Sequence, residues 1–126
     1  MKLTTLAVLA SFITFPSAAD STERWRGIFC DTQAQVERVV TLGTKLGGAA
    51  QGIMAVNAEV GGDTQACIYG VVVGIRGKAV STILTPDGLL DVVPWHIKAV
   101  DTPFGLMALP EEQTWYTLVA SEERPA

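Results

Sequence analysis

Histidine occurs once in the chain, at His96, asparagine once, at Asn57, and cysteine twice, at Cys30 and Cys67. That scarcity excludes the common metal centres. A tetrahedral zinc site needs four ligands, and two cysteines with one histidine match no ribbon or finger spacing. There is no C-x-x-C, so a thioredoxin-type dithiol is missing. After residue 20, serine occurs only at Ser21, Ser81 and Ser121, with no G-x-S-x-G elbow for a serine hydrolase. Nine basic residues face thirteen acids, a net charge of −4, and no Lys/Arg cluster offers a footprint for nucleic acid or an anionic membrane. The run "TLGTKLGG" lacks P-loop spacing and closes a helix instead of opening one, which turns the wrong dipole end toward a phosphate. No cofactor or metal is therefore expected.

What is present begins with "MKLTTLAVLASFITFPSAAD". Lys2 supplies a basic start, Leu3 to Phe15 a mostly apolar stretch, Pro16 a helix break, and Ser17-Ala18-Ala19 the small residues that a signal peptidase reads. Residues 1–19 are expected to be a secretory signal cleaved after Ala19, leaving one domain over 20–126 with a frayed tail at 121–126. Loss of Lys2 leaves eight bases against thirteen acids, a net charge of −5. The longest later apolar run, around Ile68 to Ile75, is cut by Gly70 and Gly74, so no stable membrane insertion is expected after cleavage. The expected location is periplasmic or secreted.

Cys30 then admits a short set of roles. A lipid anchor needs a small preceding residue at the end of the apolar segment, and Phe29 stands there instead. A reactive thiolate remains open, because Cys30 precedes a helix start. An oxidising compartment and an even count favour a Cys30–Cys67 disulfide, which would close a loop of nearly forty residues and stabilise the fold by about 4 kcal/mol.

Thr32 and Gln35 fit a capping box, with Asp31 as the alternative N-cap. Val36, Val39, Val40 and Leu46 recur at helical spacing, with Glu37, Arg38 and Lys45 on the other side, up to Gly47-Gly48. Ala50, Ile53, Met54 and Asn57 predict a second, shorter helix that Gly52 weakens, with Asn57 capping it or bonding the backbone of the turn beyond. From residue 66 the pattern turns to strands: 66–76, 78–85, 89–100, 106–109 and 114–120, with turns at Thr85-Pro86-Asp87-Gly88 and Thr102-Pro103-Phe104-Gly105. The 66–76 run reads as covered on both faces, with Gly70 and Gly74 at bulges or close approaches. In the row Asp91, Val93, Trp95, Ile97 and Ala99, the residues beyond 92 should face the core, and Pro94 implies an edge or a bulge that could switch the inward row. The expected fold is α+β: one or two N-terminal helices on a curled antiparallel sheet of four to five strands. The strand half has the length and turn spacing of a small SH3-like barrel. The disulfide would pin the start of the first helix to the first strand.

Trp95-His96 and Trp115-Tyr116 are the most informative pairs, since strand neighbours point to opposite faces. Outward His96 and Tyr116, with a tryptophan beside them, would form a binding patch of Trp95, His96, Trp115 and Tyr116 for an envelope protein or glycan. His96 with Asp91 is the alternative, as a small hydrolase or lyase, and His96 has the right intrinsic range for a pH sensor. Asp87, Asp91, Asp101, Glu111 and Glu112 could supply paired carboxylates, although most sit beside turns. A thiol redox protein using Cys30 is the third alternative.

Together, the signal segment, "GIFCDTQAQVERVV", "AVNAEVGGDTQAC" and the strand-rich end resemble uncharacterised small secreted bacterial proteins with two cysteines. The resemblance supports the Cys30–Cys67 pairing and a periplasmic home, and implies no activity and no site residues. The sequence thus points to an exported, non-enzymatic envelope binding module, an inhibitor of an envelope hydrolase being one concrete form.

Overall fold

The computed structural model describes residues 21–62 and 65–121. The expected signal segment, its cleavage site and residues 122–126 of the tail lie outside the described residues. The elements run β1 Glu23–Cys30, α1 Gln33–Leu46, α2 Ala49–Val60, β2 Cys67–Arg76, β3 Ser81–Thr85, β4 Gly88–Thr102 and β5 Gly105–Ala120. Two helices pack on a five-stranded antiparallel sheet, as the sequence predicts, in the order β2-β1-β5-β4-β3. The sheet curls until β2 also pairs with β4, so β2, β1, β5 and β4 form a closed circuit of pairings.

A strand precedes the helices, which the sequence reading does not anticipate. In β1, Trp25 and Phe29 face into the curl, and Ile28 and Cys30 face the helices. Two apolar layers result. The inner layer holds Phe29, Val72, Val93, Trp95, Ile97 and Val119. The outer layer, between helices and sheet, holds Val36, Val39, Val56, Val92 and both cysteines. Both faces of a strand are buried only where the helices lie. In β2 that is Cys67, whereas Tyr69 on the same outer face stands open to solvent, a correction to the doubly covered strand.

Thr32 is the N-cap of α1: its Oγ1 accepts from Gln35 N at 3.1 Å, and Gln35 Oε1 accepts from Thr32 N at 3.0 Å. Gly47, with φ 104°, ends the helix. Arg38 of α1 grips Glu59 of α2 by two bonds of 3.2 and 2.7 Å, and Glu37 turns toward β3, accepting from Ser81 Oγ at 2.7 Å. Asn57 does what its position suggests. Its amide donates to Cys67 O at 3.0 Å and accepts from Cys67 N at 2.8 Å, completing the first residue of β2 as a neighbouring strand would.

The disulfide joins Cys30 and Cys67 with an S–S distance of 2.08 Å. The two residues stand directly opposite each other, so the bridge ties strand to strand, not helix to strand. It sits where the chain leaves β1 for the helices and re-enters the sheet at β2.

Pro94 lies inside β4, with β5 on one side throughout. On its other side β4 pairs with β3 up to Val92 and with β2 from Trp95. Pro94 occupies the handover, its carbonyl accepting from Gly77 N at 2.8 Å, and its missing N–H falls outside both the β3 and the β2 ladder. Asp91, Val93, Trp95 and Ile97 keep one inward row through it. The bulge falls later, where Ile97 and Ala99 of β4 pair with Gln113 and Ala108 of β5. Leu109 to Glu112 stand there opposite Lys98 alone, and β5 is one bulged strand where the sequence reads two, 106–109 and 114–120. On β2 the register shifts between Val73 and Gly74, where a Cβ on Gly74 would come within 2.3 Å of His96 O.

Candidate functional site

The four aromatic-patch residues do not assemble. Trp95 and Trp115 pair across β4 and β5 and face inward. Trp95 is 0% exposed, so it is a core residue and leaves the surface patch. Trp115 is part of the same inner layer, half-buried against Phe29 with ring centroids 6.3 Å apart. His96 and Tyr116 share the outer face, where Tyr116 packs against the helix-side core beside Cys30 and only His96 stands clear.

His96 and Asp91 are five residues apart on one strand and therefore lie on opposite faces. Asp91 is buried, its Oδ1 accepting from Thr82 Oγ1 at 2.8 Å and Ser121 Oγ at 2.9 Å. The carboxylate that meets His96 is Glu112, 2.5 Å from His96 Nε2, and Lys98 Nζ donates to its other oxygen. All three side chains are solvent-accessible. Hydrogen bonds from Lys98, then His96, hold the Glu112 carboxyl below the usual carboxylate range against an opposing desolvation. A folded value below the unfolded one stabilises above the unfolded value, and that contribution is lost as pH falls through the folded one. Side-chain NMR titration should place the Glu112 midpoint below that of a free glutamate, and Lys98→Ala should raise it. A midpoint indifferent to Lys98→Ala would show that the bond is not formed in solution.

Of the other candidate carboxylates, Asp101 pairs with Arg24 at 3.1 Å, Asp87 occupies the β3–β4 turn and Glu111 stands exposed in β5. Among the described residues no group of three or more His, Cys, Asp or Glu side chains could hold a metal ion. Cys30 is bonded and buried. No described helix is long and apolar enough to cross a membrane.

The outlying feature is one that turn signals conceal. The β3–β4 and β4–β5 hairpins carry the same turn, T-P-x-G. In the first, Thr85 Oγ1 donates to Gly88 O at 2.7 Å and accepts from Asp87 N at 3.2 Å. In the second, Thr102 Oγ1 donates to Gly105 O at 2.7 Å and accepts from Phe104 N at 3.1 Å. Gly88 and Gly105 take φ 127° and 109°, a region where glycine is favoured. Threonine, proline and glycine thus build both turns, and the third position is free. One turn puts Asp87 there and the other Phe104, which is 96% exposed. Leu106 and Met107, each 57% exposed, follow on the same arm. Folding does not account for an aromatic ring at that tip.

No protein-family model matches the chain, and no curated protein or solved structure matches it either.

Proposed function

We propose that the chain is an exported, non-enzymatic interaction module of the cell envelope, periplasmic or secreted, that docks on a protein through the β4–β5 arm. The observation that carries this reading is Phe104. It is almost wholly exposed at a turn whose twin accommodates an aspartate with the same hydrogen bonds. Exposed aromatic and methionine side chains are the residues that anchor interfaces by filling a partner's pocket. Of the acids that flank the arm, Asp101 is paired with Arg24 and Glu112 with Lys98 and His96, so the feature that defines the fitting partner is an apolar socket for the ring. A rigid hairpin with a single projecting ring suits a wedge, such as an inhibitor entering the cleft of an envelope hydrolase.

Phe104→Asp copies the twin turn and should leave the melting temperature within about 4 °C of wild type, since surface changes rarely exceed about 0.5 kcal/mol. In a pull-down from envelope extract, wild type should retain a partner that Phe104→Asp loses, with binding about 30-fold weaker or more, as for a central aromatic anchor. His96→Ala should retain it. Equal recovery by wild type and Phe104→Asp would remove the arm from the reading.

A further inference from the structure

Three glycines stand inside the ladders that β2 makes with β1 and β4: Gly27, Gly70 and Gly74. Close neighbours explain two of them. A Cβ on Gly74 would run into His96 O, and one on Gly27 would lie 3.1 Å from Trp25 Nε1 and 3.3 Å from Thr117 Oγ1. Gly70 has no such reason. A Cβ there would meet nothing within 4 Å, its φ is not positive, and the β1–β2 register passes through it without a shift. Glycine weakens a strand interior and, where no bulge or bend needs it, marks a place that a ligand or another backbone approaches. No other backbone approaches that point, which leaves a ligand.

Gly70 lines a cavity of about 470 Å³ between α2 and the edge of β2, within the range of small-molecule sites. Ala50 and Ile53, on the same face of α2 as Asn57, form one apolar wall, and Ile68 and Val100 form the other. Tyr69, 63% exposed, stands at the rim. Asp101, the one charged residue of the lining among the described residues, holds Arg24 at 3.1 Å, so the cavity suits a neutral ligand. The backbone adds a direction. Alternate residues of an antiparallel strand turn N–H and C=O to the same edge. Cys67 presents that pair to the Asn57 carboxamide, which bonds both at 2.8 and 3.0 Å. Tyr69, two residues on, presents its own pair to the same edge, and β4 takes up that edge only from Val72. One N–H and one C=O are thus left without a partner strand in the cavity wall, beside a place where a carboxamide already completes the same pair.

We propose that this cavity binds a small neutral primary carboxamide with an apolar body. Its oxygen would accept from Tyr69 N and its NH2 group donate to Tyr69 O, as the Asn57 amide does at Cys67, with the body over Gly70 between Ile53 and Val100. A primary amide carries an N–H on the same side as its oxygen and so serves both groups at once, whereas the N–H of a trans secondary amide points away. Asn57 on one side and β4 on the other leave a gap for one amide and not for an added strand, so the ligand is a small molecule and not a peptide segment. Phe104 does not line the cavity, and failure at one site leaves the other untouched.

The test titrates benzamide into the folded, oxidised, nitrogen-15-labelled chain and follows the backbone amide signals. The Tyr69 N–H should shift saturably, with a dissociation constant of about 1 mM. N-methylbenzamide should bind about tenfold more weakly, since it leaves one backbone group unpaired, and benzoate, which cannot donate to Tyr69 O, more weakly still. Gly70→Val fills the cavity where a Cβ meets nothing within 4 Å, so it should melt at or above the wild-type temperature and lose benzamide. Tyr69→Ala, at an exposed rim position, is the second variant and should weaken benzamide about fivefold with an unchanged fold. Phe104→Asp should bind it like wild type, and a loss there would move the ligand to the arm and overturn the proposal. No saturable shift up to about 50 mM would overturn it too. So would equal binding of N-methylbenzamide or benzoate, Gly70→Val binding like wild type, or a blocked glutamine residue binding more tightly than benzamide.

Discussion

Replacing Cys30 and Cys67 together by alanine is expected to lower folding stability by about 4 kcal/mol. The two cysteines are 37 residues apart in sequence, and the loop they close contains both helices. In the unfolded chain the bridge removes the freedom of that whole excursion. In the folded chain Cys30 and Cys67 stand directly opposite each other on paired strands. Alanine is the right replacement because both sulfurs lie among Val36, Val39, Val56 and Val92, where a serine hydroxyl would need a partner. A domain of this size has a total stability of about 5–15 kcal/mol, so the loss is a large share of it. With a urea slope of about 1–3 kcal/mol per molar, the midpoint should fall by about 2 M. A loss below about 1 kcal/mol would show that the β1–β2 ladder and the Asn57 clamp hold the ends of the excursion without sulfur.

Features carried by a few adjacent residues were legible in the sequence. The capping box at Thr32 and Gln35, the glycine stop at Gly47 and both T-P-x-G turns are local, and each stands where its residues predict. Asn57 was legible too, as a side chain able to bond backbone just beyond its helix. Features that depend on a distant neighbour were not. Pro94 is tolerated because β4 changes partners there, which no property of residues 90–98 reveals. The staple was readable as a pair, but its role was not: only the presence of β1 makes it a strand-to-strand link. β1 itself was missed because its inward row, Trp25, Gly27 and Phe29, includes a glycine, and because it closely follows the segment that the sequence reads as a signal.

The site was less legible than the fold, for a related reason. Phe104 occupies a position that the turn leaves unconstrained, so the rules that identify the turn pass over its third residue. Only the comparison of Thr85-Pro86-Asp87-Gly88 with Thr102-Pro103-Phe104-Gly105, together with the exposure of the ring, separates a residue the turn requires from one it does not. The aromatic pairs misled in the opposite direction. Alternation puts one member of Trp95-His96 outside, and the larger member, Trp95, is the one the core takes.

Gly52→Ala is expected to destabilise the protein by about 2 kcal/mol, although the same change in an exposed helix would stabilise it by up to about 1 kcal/mol. From sequence alone Gly52 is a weak point in α2. In the fold it is the contact point of the two helices. A Cβ at Gly52 would lie 2.4 Å from Val39 O and 3.0 Å from Gly43 N, closer than nonbonded carbon approaches either atom. Both neighbours are backbone of α1, so no side chain can rotate away. The helices would have to separate, which loosens the packing of Val39 and Val56 over the sheet. Overpacking of this kind costs about 1–3 kcal/mol, at the upper end when backbone must move, and the gain in helix propensity offsets about 1. The melting temperature should therefore fall by about 8–16 °C. The sign is the decisive reading, because a rise would mean that α1 and α2 do not touch at Gly52. Loss of the contact would also release the Arg38–Glu59 pair that spans the same two helices, so a double variant with Glu59→Gln should lose little more than Gly52→Ala alone.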